Sequence, residues 1–580
     1  MIIDIEREAL VAFYESTRGE NWGRKGGWMS DEPLGNWYGV ETNADGRVVT
    51  LEIRNNGLSG TLPPEIGDLA ELERLILNLN DIGGTLPPEL AKLSKLRLLL
   101  ATRNSLSGRI PPELGSLSNL ERLHIGGNRF SGPIPPELGN LSKLIGLMVV
   151  ANQLTGPIPP ELGNLSNLEY LYLDINGLTG SIPSELGNLS QLAYFLLDNN
   201  ELSGSIPPEL GNLTKVVDFR VDGNRLSGSL PPELGKLVSV RQFMVVNNEL
   251  TGPIPPEFGN MASVQHLYLW SNELSGSIPP ELGNLRNLQH LVFAFNNLSG
   301  PIPPELGDLP RLLTIQAQLN NLTGEIPAEL GKAPLLRGMN LGGNELSGSL
   351  PPELFDSPRL GGLYLRENRL SGSVPPEIGN LGSLGDLDLR DNTEMTGPLP
   401  LTMMSLDTMS GDTTGLLYTT GTGLCAPTDS DFQAWLAGVD DLLVDDCEDG
   451  EPPTAYLTQA DQPLDYPMPL VPIQPAPFRV FVTSRNQSSA TNPDADLRFR
   501  SLISNRASRE QGIQAAVAAP VQSVLLWGGA NAGRVPYWLA VPVVDAPPQL
   551  PSAGAQAAPV PGQPWASRDV RREVGFRDLR

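Results

Sequence analysis

Cysteine is nearly missing from this chain: Cys425 and Cys447 are the two in 580 residues. They permit at most one disulfide and exclude a cysteine-based zinc site. Positive charge is also scarce, with 40 Lys and Arg against 66 Asp and Glu, a formal net charge of -26 and a pI near 4.6. Such a field opposes nucleic acid and anionic membrane surfaces, which leaves neutral or basic partners. Long apolar runs are absent too. The charge-free stretch between Glu510 and Arg534 is broken by Gln514, Pro520, Gln522, Gly528, Gly529 and Asn531, so it does not read as a membrane span. Residues Met1 to Phe13 alternate charged and apolar groups without an apolar core of signal-peptide length. Either export uses a signal that this chain lacks, or its start is incomplete. No phosphate-binding G-x-x-x-x-G-K, no H-E-x-x-H, no G-x-S-x-G and no kinase signature set occurs. The chain therefore reads as a non-enzyme, with no catalytic residue, no cofactor and no metal.

What is present is repetition. Asn stands at position 56 and at every twenty-fourth position through Asn392, fifteen times in register. Five and three residues before each Asn is an apolar side chain, as in Leu171 and Leu173 before Asn176, and another follows two residues after, as in Leu178, except after Asn392, where the repeat gains one residue at Thr393-Glu394-Met395. Alternation of apolar and variable residues describes a strand buried on one face. The Asn follows where the chain turns inward, and its amide can bond backbone groups of its own and the next coil, forming a ladder. The second half of each unit reads x-G-x-I-P-P-E-L-G-N-L, for example from Gly156 to Leu165. Proline there opens a short helical turn, and glutamate in its first turn suits the helix dipole. That glutamate recurs fourteen times from Glu65 to Glu377, so more than half the size of the net charge is a scaffold column.

The pattern L-x-x-L-x-L-x-x-N-x-L resembles leucine-rich repeats. The 24-residue unit with L-x-G-x-I-P resembles their plant-specific class, which includes receptor-like kinase ectodomains and polygalacturonase-inhibiting proteins. The resemblance covers residues 4 to 449 and implies an α/β solenoid: a leucine-rich-repeat superhelix of about 15 coils with a parallel β-sheet on the inner face, N- and C-terminal caps, and a largely irregular C-terminal tail. It speaks to scaffold, not ligand.

The expected domains are an N-terminal cap at 1–48, repeats at 49–406, a C-terminal cap at 407–450, the start of a β-domain at 451–483, and a disordered or truncated tail at 484–580. In the first, Ile5, Leu10, Phe13 and Tyr14 lie at roughly helical spacing, followed by Trp22, Trp28 and Trp37. The segment Trp37-Tyr38-Gly39-Val40 resembles the plant receptor cap, in which two cysteines flank W-x-G-V. Here those positions are Gly35 and Thr42, so tryptophan packing has to replace that bridge. The second cap holds Cys425 and Cys447 around an Asp-rich, helix-like stretch, read as closed by one disulfide with two free thiols as the alternative. Its acidic residues, among them Asp429, Asp431, Asp440, Asp441, Asp445 and Asp446, lack calcium-loop spacing. In the tail, residues 478–580 hold twelve Arg, no Lys and seven acids.

Residues six, four, two and one before each Asn vary between coils and face away from the core. Neighbouring coils about 4.8 Å apart give a face on the order of 70 Å long, which suits a peptide, protein domain or glycan. The middle coils combine aromatics with charge: Tyr170, Tyr172, Asp174, Tyr194, Asp198, Arg220, Asp222, Met244, His266, Tyr268, Trp270, His290 and Phe295. Exposed aromatics with an Arg are hot-spot chemistry. Asp174, Asp198 and Asp222 share one column, where like charges repel. A basic ligand group or a cation would offset that, and the plainer alternative is solvated carboxylates beside Arg220. His124, His266 and His290 also face inward, and they read as surface histidines rather than a metal pair.

The expected function is a non-catalytic binding module, monomeric and extracellular or at the cell surface, that recognises a peptide, protein or glycan in surface recognition or signalling. Cytoplasmic placement is the alternative. The rival functions are a structural or adhesive spacer that presents a C-terminal domain and, third, an enzyme whose catalytic part is the tail.

Overall fold

The computed structural model describes residues 2–406, 409 and 415–447, with two further strands, Ser523–Gly528 and Tyr537–Pro542. Two units separate, Met1–Thr458 and Gln459–Arg580. The expected β-domain start at 451–483 lies outside the described residues, as does most of the tail at 484–580. What is described of the tail is an antiparallel pairing of its two strands, with Trp527 opposite Trp538.

In the first unit the alternation of apolar residues becomes one short strand per coil. Successive strands pair in parallel with an offset of one repeat, as Tyr170, Leu171 and Tyr172 pair with Tyr194, Phe195 and Leu196. Together with an antiparallel first strand, Val40–Thr42, they make an 18-stranded sheet. The periodicity does not end at the last asparagine, because Leu416–Tyr418 and Asp441–Leu443 add two more parallel strands. The apolar columns are fully buried, and in the middle coils they change from Leu to a stack of Phe195, Phe219 and Phe243 with ring centroids 5.1 Å apart.

A second parallel sheet, of 14 strands, runs beside the first, although the sequence pattern indicated the inner sheet alone. It forms just after the Asn from Asn104 onward, in segments such as Gly177–Gly180 and Glu201–Gly204, while the segments after Asn56 and Asn80 pair in a two-stranded sheet of their own. The leucine two residues past the Asn buries there, and the strand ends at a glycine with φ near +78°, as at Gly180, a conformation that other residues rarely adopt. Each coil then closes through a 3-10 turn opened by proline, for example Pro160–Asn164. The glycine of that turn is dictated by the neighbouring coil: a methyl group on Gly163 would lie 2.4 Å from the carbonyl oxygen of Glu185.

The asparagine ladder has the expected form. Asn248 donates from Nδ2 to the carbonyls of Val221, Val245 and Val246 at 3.1, 3.2 and 3.1 Å, and its Oδ1 accepts the Leu226 N–H at 3.0 Å. One amide thus satisfies four backbone groups from two coils, which is why no coil replaces it.

At the N-terminal end the helix Ile2–Ser16 packs Phe13 and Tyr14 against Trp22 and Trp28, and Trp28 against Trp37. A methyl group on Gly35 would lie 2.9 Å from Thr42 Oγ1. The two positions at which the plant cap carries its bridge are therefore neighbours here, with the aromatic cluster beside them in the same cap. At the other end Cys425 and Cys447 form a disulfide, Cα to Cα 4.8 Å. Asp429 caps the helix Ser430–Leu436 by accepting the Asp431 and Phe432 N–H groups, both at 3.0 Å.

Candidate functional site

The strands from Tyr170–Tyr172 to His290–Val292 carry most of the residues picked out from the sequence, and their side chains form three columns across the inner sheet. The column six before each Asn holds two stacked ring pairs. Tyr170 lies on Tyr194 at 5.3 Å and 9°, and His266 lies on His290 at 5.0 Å and 8°. Between them sits Asp218, which the candidate list omitted although its position belongs to the same column. Arg220 grips it through two 2.8 Å bonds and reaches Gln242 at 3.0 Å. Arg220 is therefore the partner of Asp218, on its own strand. An arginine two residues from an aspartate on one strand face was the available signal.

The histidines lie low on the face. Burial, followed by the neighbouring His266, holds His290 down to about 4, and burial also lowers His266. His290 Nδ1 lies 2.9 Å from Thr314 Oγ1 and His266 Nδ1 lies 3.3 Å from the Tyr268 hydroxyl. At neutral pH they are neutral hydrogen-bonding rings. His124 stands apart, four coils nearer the N-terminus than the Arg220 strand, with its ring over Gly146 and its pKa held to about 3 by burial and then Arg122. Among the described residues no group of three or more His, Cys, Asp or Glu is arranged to hold a metal ion.

The column two before each Asn holds Asp174, Asp198 and Asp222 on successive coils. Asp222 is 3 % exposed, so it is not a solvated carboxylate. Met244 and Tyr268 are likewise buried by their neighbours rather than presented to solvent. Inward-facing positions on a parallel sheet shield one another whenever adjacent side chains are long, and one-dimensional pattern does not count that shielding. Tyr170, Tyr172, Tyr194, Arg220, His266, Trp270 and His290 stay half-exposed. Phe295 occupies the residue just before its Asn, in a left-handed turn with φ 55° beyond the end of its strand.

Burial raises the pKa of Asp174 and Asp222 well above the ordinary carboxylate value, with Asp198 the next contribution in both; burial also raises that of Asp198. Asp198 Oδ2 accepts from Asn199 at 2.8 Å. Asp174 Oδ1 and Asp222 Oδ1 are buried with no hydrogen-bond donor among the described residues.

The Leucine Rich Repeat family profile matches seven of the coils, at residues 47–69, 119–141, 167–189, 191–213, 263–285, 287–309 and 359–381. The chain is a leucine-rich-repeat protein. Among solved structures, its fold is similar to that of a plant peptide hormone receptor, RGFR1, in complex with RGF2: 34% identity, TM-score 0.59, 65% of this chain and 63% of that one. It is also similar to the Arabidopsis receptor kinase HAESA in complex with the peptide hormone IDA and the co-receptor SERK1, at 27% identity and TM-score 0.51 over 77% and 85% of the two chains. A curated relative, a probable leucine-rich repeat receptor-like protein kinase of Arabidopsis thaliana, is 45% identical over 51 residues, which are 9% of this chain and 5% of that protein. The chain thus matches a small part of that kinase and under two thirds of the RGFR1 chain. Among the described residues no helix is long and apolar enough to cross a membrane.

Proposed function

We propose that this leucine-rich-repeat unit is a binding module for an extended polypeptide segment, laid along the inner sheet across the coils from Tyr170 to Phe295. The observation that carries this reading is the combination, on one face, of half-exposed aromatic rings with buried carboxylate oxygens that lack donors. A scaffold surface has no use for unpaired buried charge, whereas a ligand that brings donors removes the penalty. Peptide is favoured over glycan because the Tyr170–Tyr194 and His266–His290 pairs stack on each other. Each pair thereby covers ring faces that a sugar would use. The complexes of RGFR1 with RGF2 and of HAESA with IDA support the same choice. A disulfide in the C-terminal cap supports an extracellular or cell-surface location.

The test is a binding screen of the full chain and its Tyr172→Ala/Trp270→Ala variant against peptide and glycan arrays, with affinities measured by interferometry. Wild type should bind peptides, and the variant should bind them about 30-fold more weakly, the size of a hot-spot loss. Equal binding by both places the site elsewhere. If neither binds any probe, the spacer reading prevails.

A further inference from the structure

Charged residues two before the Asn recur outside the middle coils, and there they are paired. Arg54 lies 3.0 Å from Glu52, Arg366 lies 3.6 Å from Glu367, and Arg390 lies 2.6 Å from Asp388. The stretch Asp174, Asp198, Asp222 departs from that rule. Its residues are successive rungs of one ladder, because the Ala151, Ile175 and Asn199 N–H groups donate to the carbonyls of Asp174, Asp198 and Asp222 at 3.0, 2.9 and 2.9 Å. Arg220, whose charge acts on all three aspartates, directs Nε and Nη2 to Asp218 and Gln242 in the column six before the Asn and donates no hydrogen bond to the aspartate column. Asp222 is almost completely buried and its Oδ1, like that of Asp174, meets no donor among the described residues. A carboxylate oxygen held out of water without a donor marks a place where a donor belongs. The three groups lie along a line rather than around a point, which suits an elongated, multidentate donor and not a metal ion. Past Asp222 the column becomes apolar: Val246 and Ala294 are buried, and Trp270 between them is half-exposed.

We infer that the ligand carries an arginine or lysine that enters the Asp174–Asp198–Asp222 column, and a bulky apolar residue that packs on Trp270. This rests on the peptide-binding reading above. The spacing follows from the sheet: Asp198 and Trp270 are three coils apart, about 14 Å at strand spacing, which an extended peptide spans in about four residues. The column thus fixes both the chemistry of the ligand and its register.

Random linear peptides displayed on phage, selected on the full chain, test this directly. The inference expects enrichment of Arg or Lys with a bulky apolar residue about four positions away. On Asp174→Asn/Asp198→Asn/Asp222→Asn the basic preference should disappear, and the leading peptide should bind about 30-fold more weakly. Changing that peptide's basic residue to Gln should produce the same loss on wild type and little further loss on the triple variant. Trp270→Ala should relax the apolar preference and leave the basic one. Thermal melts accompany each variant, and Asp198→Asn alone replaces the triple change if that chain fails to fold. Peptides selected without a basic residue, or a basic preference that survives the Asn substitutions, would overturn the inference while leaving the peptide-binding reading standing. Selection of no peptide at all overturns both.

Discussion

Two columns run side by side through the same coils and obey opposite rules. In Asn176, Asn200 and Asn224 each amide binds backbone groups of two coils, and nothing polar is left over. Two residues earlier, Asp174, Asp198 and Asp222 bring like charges together, and in two of them the buried Oδ1 meets no donor among the described residues. The first column is what repetition selects for, since an arrangement that satisfies every group can be copied from coil to coil. The second breaks local consistency, and Arg220 and the Asn199 bond to Asp198 offset it only in part. Such violations concentrate where a protein meets something else. Scaffold substitutions should therefore lower stability, and face substitutions should alter recognition while stability holds or rises.

The largest expected effect falls on the scaffold. Asn248→Ala strands the Leu226 N–H and removes a donor from the carbonyls of Val221, Val245 and Val246, the last of which keeps the Gly223 N–H, and the loss should reach about 3 kcal/mol. Denaturant unfolding followed by circular dichroism measures it, with hydrogen exchange showing the loss centred on the flanking coils. Near-wild-type stability would mean that water substitutes for the amide, and the contrast between the columns would then fail on its stronger side.

The acidic column should respond in the other direction. Asp174→Asn/Asp198→Asn/Asp222→Asn removes repulsion and should stabilise the fold by about 1 kcal/mol at neutral pH. The pH dependence follows from the raised pKa values. A carboxyl that titrates higher in the folded chain than in the unfolded one retains its proton longer when folded. Wild type is then favoured below the unfolded value, near 3.9, and loses that advantage as pH rises through the folded values. Melting curves of the two forms should converge near pH 4 and separate towards neutrality, with the variant higher. A variant that melts lower at pH 7 would show that the aspartates contribute to the scaffold.

The same contrast explains how much was legible in advance. The coils, the ladder, the proline-opened turns and the disulfide-closed cap were readable because each repeats or stands alone in a sparse background. The second sheet was not, since its strands are short segments such as Glu201–Gly204 whose pairing depends on the neighbouring coil rather than on local alternation. The candidate face was readable as columns, but its contacts were not. Position alone left Asp218 out and paired Arg220 with the wrong carboxylates, because rotamer choice decides which of several nearby acids a guanidinium meets. Nor did position reveal that Met244, Tyr268 and Asp222 are buried under their neighbours.

The rim between the columns allows the smallest and most discriminating test. The residue just before each Asn takes a left-handed turn, with φ 63° to 66° at Gly127, Gly223 and Gly343 and 53° at Ile175. A β-branched side chain is poorly suited to that conformation, at a penalty of about 1–2 kcal/mol. Ile175→Gly relieves it but gives the unfolded chain more freedom, about 0.4–1 kcal/mol in the other direction, and Ile175 is half-buried, so some packing is lost as well. The expected net gain is roughly 0.5 kcal/mol, read as a small rise in melting temperature. Asn199→Gly, which starts from a residue that tolerates the turn and also loses the bond to Asp198 Oδ2, should not raise the melting temperature. Peptide binding by Ile175→Gly decides which side of the contrast the rim belongs to: unchanged affinity makes it scaffold, and lost affinity with raised stability would make Ile175 part of the recognition face, a strained side chain retained for its ligand.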